Sequence, residues 1–407
     1  MLARSNTEMV RQQNSALVLA VLRRHGRLAH TEISEATRLA SATVSAITGD
    51  LERANIIERI EQQPASGRGR PRVQFSQRRD CGYIIVVTIS SDAIQFSLVD
   101  YGGTLLDRFT EPRRQGDIEA FLGAIAAALE RVVLRARIDA GSVMLVSISS
   151  KGLVHPDKSI LVWSPVFGSQ PVDFTELMPG WPAKVGLNNE TLLVATAFNE
   201  RRAKEGGADG TALAALSLGH SIGLGVVRPS LSDTPEIVAP NFGHMLHIPQ
   251  GALCRCGAAG CIEAYAGFYA ILRAAFEVPT AKVPAKFVPL AEIDKIAGQA
   301  RQGQRMSRLA FRQAGVALGN GLSRLLSLYD TMPIYVTGPG TRYYDLLREG
   351  MEEGLAQTHA VRLSGLPPLS IVGDEPSLVF EGHAAVAFSI VDQEIVLSSG
   401  RNRQIAV

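Results

Sequence analysis

Three cysteines and one histidine near the middle of the chain have the spacing of a metal site. Cys254, Cys256 and Cys261 fall within eight residues, and His244 stands ten positions before the first of them. Three thiols and one imidazole complete a tetrahedral Cys3His set, which is typical of structural zinc sites. Thiolate ligands favour zinc over harder cations. The sequence therefore predicts a bound Zn²⁺ with these four ligands.

Two alternatives for this segment stay open from the residues alone. The thiols could be ordinary buried side chains or form a disulfide, although a Cys-x-Cys pair is too tightly spaced to bridge comfortably. His247 could replace His244 as the nitrogen ligand, because it lies only three residues further along. The chain has four cysteines, three of them in metal spacing, which favours a reducing compartment over a secreted disulfide framework.

The wider segment resembles a known family of sugar-binding proteins. It reads Gly243-His244, then nine residues, then Cys-x-Cys-Gly-x-x-Gly-Cys-x-Glu ending at Glu263. This pattern resembles the ROK family, whose name stands for repressor, open reading frame and kinase. The resemblance implies that His244 both ligates zinc and faces a sugar, and that Glu263 contacts sugar hydroxyls. The family's interval to the first cysteine also favours His244 over His247.

The same resemblance implies sugar contacts outside the metal segment. Lys151-Gly152-Leu153-Val154 corresponds to the family's Pro-Gly-x-Val loop, and Asn188-Asn189 corresponds to its Asn-Asp pair, in which the Asn holds the sugar. Asn241 replaces a glutamate that the family uses for the sugar, so the preferred hydroxyls are expected to differ. The ligand is expected to be a sugar or a sugar phosphate. The implied sugar-binding residues are Gly152, Asn188, Asn189, Asn241, His244 and Glu263.

Three departures from the family's kinases argue against phosphoryl transfer. Those kinases open with Asp-x-Gly-Gly-Thr, whereas the corresponding stretch here ends in Ser90-Ser91-Asp92, whose carboxylate disfavours phosphate. Asn189 stands where the kinases have a general base, and an amide does not take a proton near neutral pH. Pro339 interrupts the adenosine-binding Gly-Gly turn. An ATP-dependent sugar kinase with a DNA-binding appendage is therefore the less favoured alternative, and no catalytic residue is expected.

The first 80 residues have the charge and the pattern of a nucleic-acid-binding module. They hold 13 Arg, no Lys and 8 acidic residues, a net charge of +5, whereas the remainder carries −3. Helical patterns begin with residues 14–25 and end with a third helix that starts at Ser41 after a short turn, which indicates a helix-turn-helix. Val44, Ile47 and Leu51 follow helical spacing and are predicted to face the core.

The opposite side of the third helix is small and polar, and it is expected to lie in the major groove against base edges and thymine methyls. The pair Ile56-Ile57 starts the first strand of a predicted wing, and Val73-Gln74-Phe75 forms its return. Between them an Arg-Gly-Arg-Pro sequence can lie in an A·T-rich minor groove. The alternatives are a protein-docking bundle and a solvated arginine linker. The predicted DNA contacts are Ser41, Ala42, Thr43, Ser45, Thr48, Arg68 and Arg70.

From Gly82 onward the pattern changes to strand, strand, helix and strand. This order resembles the opening of the actin-like (ribonuclease-H-like) lobe of ROK proteins. The predicted fold is therefore α/β, with a two-lobed actin-like body preceded by an N-terminal winged helix-turn-helix. We expect residues 1–78 to form the DNA-binding domain. Residues 79–196 together with 379–407 are expected to form the first lobe, and 197–378 the second lobe with the zinc site.

Together these features predict a sugar-responsive transcriptional regulator, most simply a repressor, that binds a double-stranded DNA operator. ROK bodies usually dimerise, so a homodimer or homotetramer on an inverted repeat is expected. No apolar run approaches the roughly 20 residues of a membrane span, and the N-terminus lacks a signal-peptide core. A cytoplasmic location without membrane contact is therefore expected. A regulator that answers to a protein partner instead of a sugar is a third possibility.

Overall fold

The protein is described by a computed structural model, whose described residues are 2–62, 72–113, 116–175, 177–205, 211–230 and 235–404. These residues form an N-terminal domain followed by two lobes, each built on a five-stranded sheet. The predicted mixture of helices and sheets is confirmed. Within these ranges, every helix is too short or too polar to cross a lipid bilayer.

The N-terminal domain has three helices and an antiparallel hairpin. Its elements are α1 (Leu2–His25), α2 (His30–Thr37), α3 (Ser41–Arg53), β1 (Ile57–Gln62) and β2 (Arg72–Gln77). Val44, Ile47 and Leu51 of α3 are buried, as their spacing predicts, and they share a core with Phe75 of β2. Helix α1 begins well before residue 14, and residues 8–11, ahead of the part that packs on the core, are exposed.

The first lobe has a mixed sheet with one helix on each face. The strands of this sheet are β3 (Tyr83–Ile89), β4 (Ala93–Asp100), β5 (Leu105–Pro112), β6 (Val143–Ser150) and β10 (Lys184–Asn189). A small neighbouring sheet contains β7 (Leu153–Val154), β8 (Ile160–Trp163) and β9 (Val172–Asp173). The large sheet has the order β10-β6-β3-β4-β5, with β6 and β10 parallel to β3. Alternate residues of β3 pack on α4 (Ile118–Ala136) and on the C-terminal helix, because successive strand residues face opposite sides.

The second lobe has a sheet in the order β13-β12-β11-β14-β15, whose strands are β11 (Leu213–Leu218), β12 (Ile222–Arg228), β13 (Glu236–Val238), β14 (Ile334–Thr337) and β15 (Leu369–Ile371). The remaining helices are α5 (Glu190–Lys204), α6 (Glu263–Ala266), α7 (Phe268–Ala275), α8 (Leu290–Arg301), α9 (Arg305–Leu328), α10 (Tyr344–Leu355), α11 (His359–Ser364) and α12 (Glu375–Gln404). Glycines let α9 and α10 pack closely, since a Cβ at Gly315 would clash with the Leu347 carbonyl.

Two helices, α5 and α12, connect the lobes. Helix α5 follows β10 directly, and it packs on α12 and also on β11 and β12 of the second lobe. A Cβ at Gly382 of α12 would clash with the Leu193 carbonyl of α5, so the two backbones are in close contact. The predicted domain boundaries at residues 196 and 379 fall inside these two continuous helices. The lobes therefore meet along shared helices, and the exact boundaries between them stay a prediction.

Arg23 of α1 ties the N-terminal domain to the first lobe. Its guanidinium donates to Asp392 Oδ1 at 2.6 Å and to the Tyr101 carbonyl at 2.6 Å. The Tyr101 hydroxyl donates to the same carboxylate at 2.6 Å. The guanidinium also lies 3.8 Å from the ring centroid of Phe388. Asp392 and Phe388 belong to α12, and Val396 of α12 packs in the core of the N-terminal domain, so this helix contacts that domain directly.

Candidate metal centre and cleft

The four predicted metal ligands lie together in the second lobe. The ligand atoms of His244, Cys254, Cys256 and Cys261 are all within 4.8 Å of one another. Cys254 Sγ is 3.5 Å from His244 Nδ1, and Cys256 Sγ is 3.7 Å from Cys261 Sγ. A tetrahedral zinc ion, with bonds of about 2.3 Å to sulfur and about 2.1 Å to nitrogen, has ligand edges of about 3.5–3.8 Å. The side chains present therefore fit zinc, with Nδ1 as the histidine ligand.

Tight turns bring the cysteines together. Gly257 has a φ of +91° and Gly260 a φ of +93°, conformations that favour glycine. The Cys254 carbonyl accepts from the Gly257 amide at 3.0 Å, and the Cys254 amide donates to the Ala258 carbonyl at 2.9 Å. A Cβ at Gly260 would also clash with the Ile248 carbonyl. The two glycines of Cys-Gly-x-x-Gly-Cys are therefore needed for the fold of the segment, and the cysteine positions depend on them.

The charge of the cluster also favours a cation. All three thiols are free, and burial, followed by the neighbouring Cys254 and Cys256, raises the pKa of the Cys261 thiol. Three thiolates held this close repel one another unless a positive charge compensates them. A bound Zn²⁺ would supply that charge and fix the segment between His244 and Cys261.

His247, the alternative nitrogen ligand, lies outside the cluster. Its ring centroid is 5.0 Å from that of Tyr265, and its Nδ1 is buried without a hydrogen-bond partner among the described residues. Burial and the charge of Arg324 lower the pKa of His247. Of the two histidines, only His244 is grouped with the cysteines, as the nine-residue interval predicts.

A cleft open to solvent, with about 580 Å³ of empty space when that solvent is included, lies between the lobes beside the metal cluster. Its walls come from the loop after β6, from β8, from the turn between β11 and β12, and from the short 3-10 turn Phe242–His244. Trp163 of the first lobe meets the His244 ring edge-on, with 4.9 Å between ring centroids. An aromatic wall with a few convergent polar groups is typical of small-molecule sites. Five of the six predicted sugar contacts line the cleft: Gly152, Asn189, Asn241, His244 and Glu263.

Asn188 does not line the cleft, which corrects its predicted role. It lies in β10 opposite Ser149 of β6, and successive strand residues face opposite sides, so its neighbour takes the cleft position. Asn189 donates its side-chain amide to the Gly152 carbonyl at 2.6 Å, and its Oδ1 accepts from the Thr191 amide at 2.8 Å. Asn189 therefore caps α5 and holds the Gly152 loop at the same time.

Glu263 is buried beside the cleft and is held by Arg255. Its Oε1 accepts from Arg255 Nη2 at 2.9 Å and Nε at 3.2 Å, and its Oε2 accepts from the Ile222 amide at 3.2 Å. Arg255 lies between the ligands Cys254 and Cys256, so the metal segment itself positions the Glu263 carboxylate. Sequence reasoning missed Arg255, although its place inside Cys-x-Cys indicates that it must lie near the metal.

Sequence reasoning also missed a buried group of charges at the cleft, formed by Lys151, Glu190 and Glu375, which we call the lysine cluster. Lys151 Nζ is 3.6 Å from Glu190 Oε1 and 3.6 Å from Glu375 Oε2. Ser217 of the second lobe donates its hydroxyl to Glu375. Burial raises the pKa of Glu190 to about 7, although Lys151 opposes this. Despite burial, the two carboxylates raise the pKa of Lys151 above its ordinary value.

The predicted DNA contacts divide into three groups. Arg68 and Arg70 lie in residues 63–71, outside the described residues. Thr48 is buried. The others form one accessible side of α3, where the exposed or half-buried residues are Ser41, Ala42, Thr43 and Ser45.

Thr48 is not available to DNA, which corrects its predicted role. Its hydroxyl donates to the Val44 carbonyl at 2.9 Å and lies 2.8 Å from His30 Nε2. Positions 44, 47, 48 and 51 form one helical stripe, so Thr48 belongs to the buried side with Val44, Ile47 and Leu51. A threonine is tolerated there because the backbone satisfies its hydroxyl.

Comparisons with known proteins agree with this geometry. A sequence model of the ROK family matches residues 84–369, and a winged helix-turn-helix DNA-binding model matches residues 14–58. The xylose repressor of Caldicellulosiruptor bescii is 23% identical over 360 residues, which cover 86% of this chain and 89% of the repressor. The glucokinase of Streptomyces coelicolor is 30% identical over 268 residues, which cover 63% of this chain and 82% of the kinase.

Among solved structures, a ROK family transcriptional regulator described as a homologue of the E. coli MLC protein has a TM-score of 0.74 at 21% identity. The superposition covers 96% of this chain and 98% of the regulator, so the N-terminal domain and both lobes share its fold. The predicted winged helix-turn-helix on an actin-like ROK body is confirmed. Because the family match extends over more than half of its residues, the chain belongs to the ROK family.

Proposed function

We propose that this protein is a sugar-responsive transcriptional regulator, most simply a repressor, that has no kinase activity. The observation that carries the proposal is a polar, aromatic-walled cleft beside a Cys3His cluster, in a chain whose α3 presents an accessible side of small residues. The cleft would bind the sugar, and α3 would enter the major groove of an operator.

The zinc ion in this proposal has a structural role. Held by His244, Cys254, Cys256 and Cys261, it would fix His244 and, through Arg255, the Glu263 carboxylate before the ligand arrives. Groups that are already ordered lower the entropic cost of binding.

On the DNA side, a homodimer or homotetramer would place two winged domains on an inverted repeat. Arg68 and Arg70 are proposed to contact the adjacent minor groove, while the accessible side of α3 reads base edges. This chain is similar to the xylose repressor, whose name describes a repressor. That similarity supports a regulatory role for a chain that combines a winged helix-turn-helix with a ROK body.

Several contacts make phosphoryl transfer the less favoured function. Burial lowers the pKa of His220 to about 4, so the ring in the β11–β12 turn is neutral, and it stacks 4.7 Å from the Phe287 ring. By the resemblance to the ROK family, Gly219, Gly223 and Gly225 of this turn match a phosphate loop of the family's kinases in part, and His220 interrupts that match. Asn189 is engaged by backbone groups, and Glu190, which follows it, faces Lys151. Neither side chain is therefore placed as a free general base.

A combined assay tests the proposal. DNA fragments retained by the full-length protein are selected from random and genomic pools, and thermal stability is screened against a sugar library. We expect one or a few sugars to raise the melting temperature, because a ligand of the folded state stabilises it, and to change affinity for the selected DNA. Sugar-dependent consumption of ATP would overturn the proposal, and DNA binding without any sugar response would indicate a protein partner.

Asn241→Ala is expected to weaken sugar binding about tenfold, because one hydrogen bond of about 1 kcal/mol or slightly more is lost. Asn241 lines the cleft and is exposed, so the folded protein should remain stable. Asn188→Ala is the matched control, since Asn188 lies one residue from the cleft position in β10. Isothermal calorimetry with the sugar found in the screen measures both. Equal losses in the two variants would contradict the assignment of cleft residues.

Ser45→Glu is expected to weaken binding to the selected DNA at least about tenfold, because it brings a negative charge against phosphates and base edges. Ser45 is exposed on α3. Ala281→Glu adds the same charge at an exposed position of the second lobe and should leave affinity unchanged. Fluorescence anisotropy at fixed salt provides the measurement. If Ser45→Glu bound DNA as tightly as Ala281→Glu, α3 would not be the recognition helix.

A further inference from the structure

The lysine cluster presents only its ammonium group to the cleft. The Lys151 side chain is 28% exposed, whereas those of Glu190 and Glu375 are 11% and 7% exposed, and of the three only Lys151 lines the cleft. An ammonium has three N–H donors. Two carboxylates lie 3.6 Å from Nζ, within ion-pair distance, so at least one N–H donor remains for a group inside the cleft.

The lysine cluster has no excess of positive charge. Lys151 is opposed by two carboxylates, so the net charge of the cluster is −1 when both are ionised and 0 when Glu190, whose pKa burial raises, is protonated. Glu190 and Glu375 are the first residues of α5 and α12. The partial positive charges of these helix N-termini are thus already balanced by the protein's own carboxylates.

The other charged groups at the cleft do not change this balance. Arg255 is paired with Glu263, and both side chains are almost fully buried. A zinc ion held by three thiolates and a neutral imidazole carries a net charge of about −1. A phosphate dianion brought into the cleft would therefore meet a neutral to negative surrounding in a region of low dielectric constant, which costs free energy.

We propose that the cleft selects an unphosphorylated, uncharged sugar, and that Lys151, balanced by Glu190 and Glu375, donates its remaining N–H to a hydroxyl of that sugar. This inference rests on the proposed sugar-binding function and names its ligand class. In this arrangement Lys151 supplies a directional donor, and the cluster as a whole lacks the net positive charge that would favour a phosphate. Glu190 and Glu375 do not line the cleft, and they set the preference for an uncharged sugar by balancing the charge of Lys151.

The first test compares a library of uncharged mono- and disaccharides with the monophosphate of each, by thermal shift and calorimetry on the full-length, zinc-loaded protein. We expect at least one uncharged sugar to bind and its monophosphate to bind at least about a hundredfold more weakly. A monophosphate that binds as tightly as the free sugar, or more tightly, overturns this inference and leaves sugar responsiveness intact. Binding by neither class overturns the proposed sugar function as well.

The second test alters the lysine cluster. Glu375→Gln and Glu190→Gln each remove one opposing charge with little change in shape, so each should raise the monophosphate-to-sugar affinity ratio about tenfold. Glu381→Gln is the matched control on α12, because Glu381 is 43% exposed and pairs with Arg201 away from the cleft. An unchanged ratio in both cluster variants shows that the cluster does not set the specificity.

Lys151→Arg tests the proposed hydrogen bond to the sugar directly, and it replaces the glutamine variants if those fail to fold. Arginine retains the charge but places its donors differently. The variant should bind the uncharged sugar about tenfold more weakly and still reject the monophosphate. Unchanged affinity for the sugar would show that Lys151 makes no hydrogen bond to it, and the proposal would fail.

Discussion

Cys256→Ser is expected to release the bound zinc and to lower the melting temperature by several degrees. The serine hydroxyl is a poor zinc ligand, and the remaining three groups cannot close a tetrahedral structural site. When free zinc exceeds the dissociation constant a thousandfold, binding to the folded state contributes about 4 kcal/mol, and this contribution is lost in the variant. Metal content per chain by mass spectrometry and thermal unfolding with zinc or chelator measure the effect.

The loss should extend to the ligand response. Without the ion, the segment that carries His244 and Arg255 is no longer fixed, so Glu263 loses the guanidinium that orients it. Cys81→Ser is the control, because Cys81 lies outside the cluster and burial raises the pKa of its thiol to about 12. His247→Ala should likewise keep the metal. A Cys256→Ser protein with one zinc per chain and an unchanged melting temperature would contradict the Cys3His assignment.

The metal centre could be predicted because its determinants are local. Three ligands, two left-handed glycines and the following Glu263 lie in one short segment, and only His244 comes from further away. Such a segment can fold into one loop with little help from the rest of the chain. The choice between His244 and His247 needed the family's interval, since no property of either residue alone separates them.

The corrected and missed residues depend on orientation or on distant contacts. Asn188 and Asn189 are chemically identical, and only the side of β10 that meets the cleft decides between them. Thr48 has the polarity of a surface residue, but its helical position places it in the core. Lys151 and Glu375 are separated by most of the chain, and only the return of α12 to the first lobe brings them together.

The second large effect is expected at the contact between the N-terminal domain and the first lobe. Arg23→Met leaves the Asp392 carboxylate, whose side chain is 5% exposed, without its cation. Burial already raises the pKa of Asp392, although Arg23 and the Tyr101 hydroxyl oppose this. Removing one partner of a buried ion pair costs about 3–5 kcal/mol. The free energy of unfolding, from urea titration followed by circular dichroism, should fall by that amount.

Arg24→Met is the matched control in the next position of α1. Its contact with Glu200 is 3.5 Å long, and the two side chains are 34% and 37% exposed, so the expected loss is at most about 1 kcal/mol. The double variant Arg23→Met/Asp392→Leu should recover most of the stability, because it removes both buried charges. Equal losses for Arg23→Met and Arg24→Met would show that the Arg23 contact does not hold the domain.

The double variant also tests how sugar binding in the cleft changes the affinity for DNA. Helix α12 starts with Glu375 at the lysine cluster and carries Asp392 where Arg23 docks, so one rigid element contacts both sites. A sugar that favours one arrangement of the lobes would move the docked domain through α12.

Allosteric coupling is typically about 5–150-fold in affinity, and in the double variant the sugar-dependent change in DNA affinity should shrink to within about twofold. Sugar affinity itself should persist, because the cleft is untouched. A full sugar effect on DNA binding in the double variant would exclude the Arg23 contact as the route.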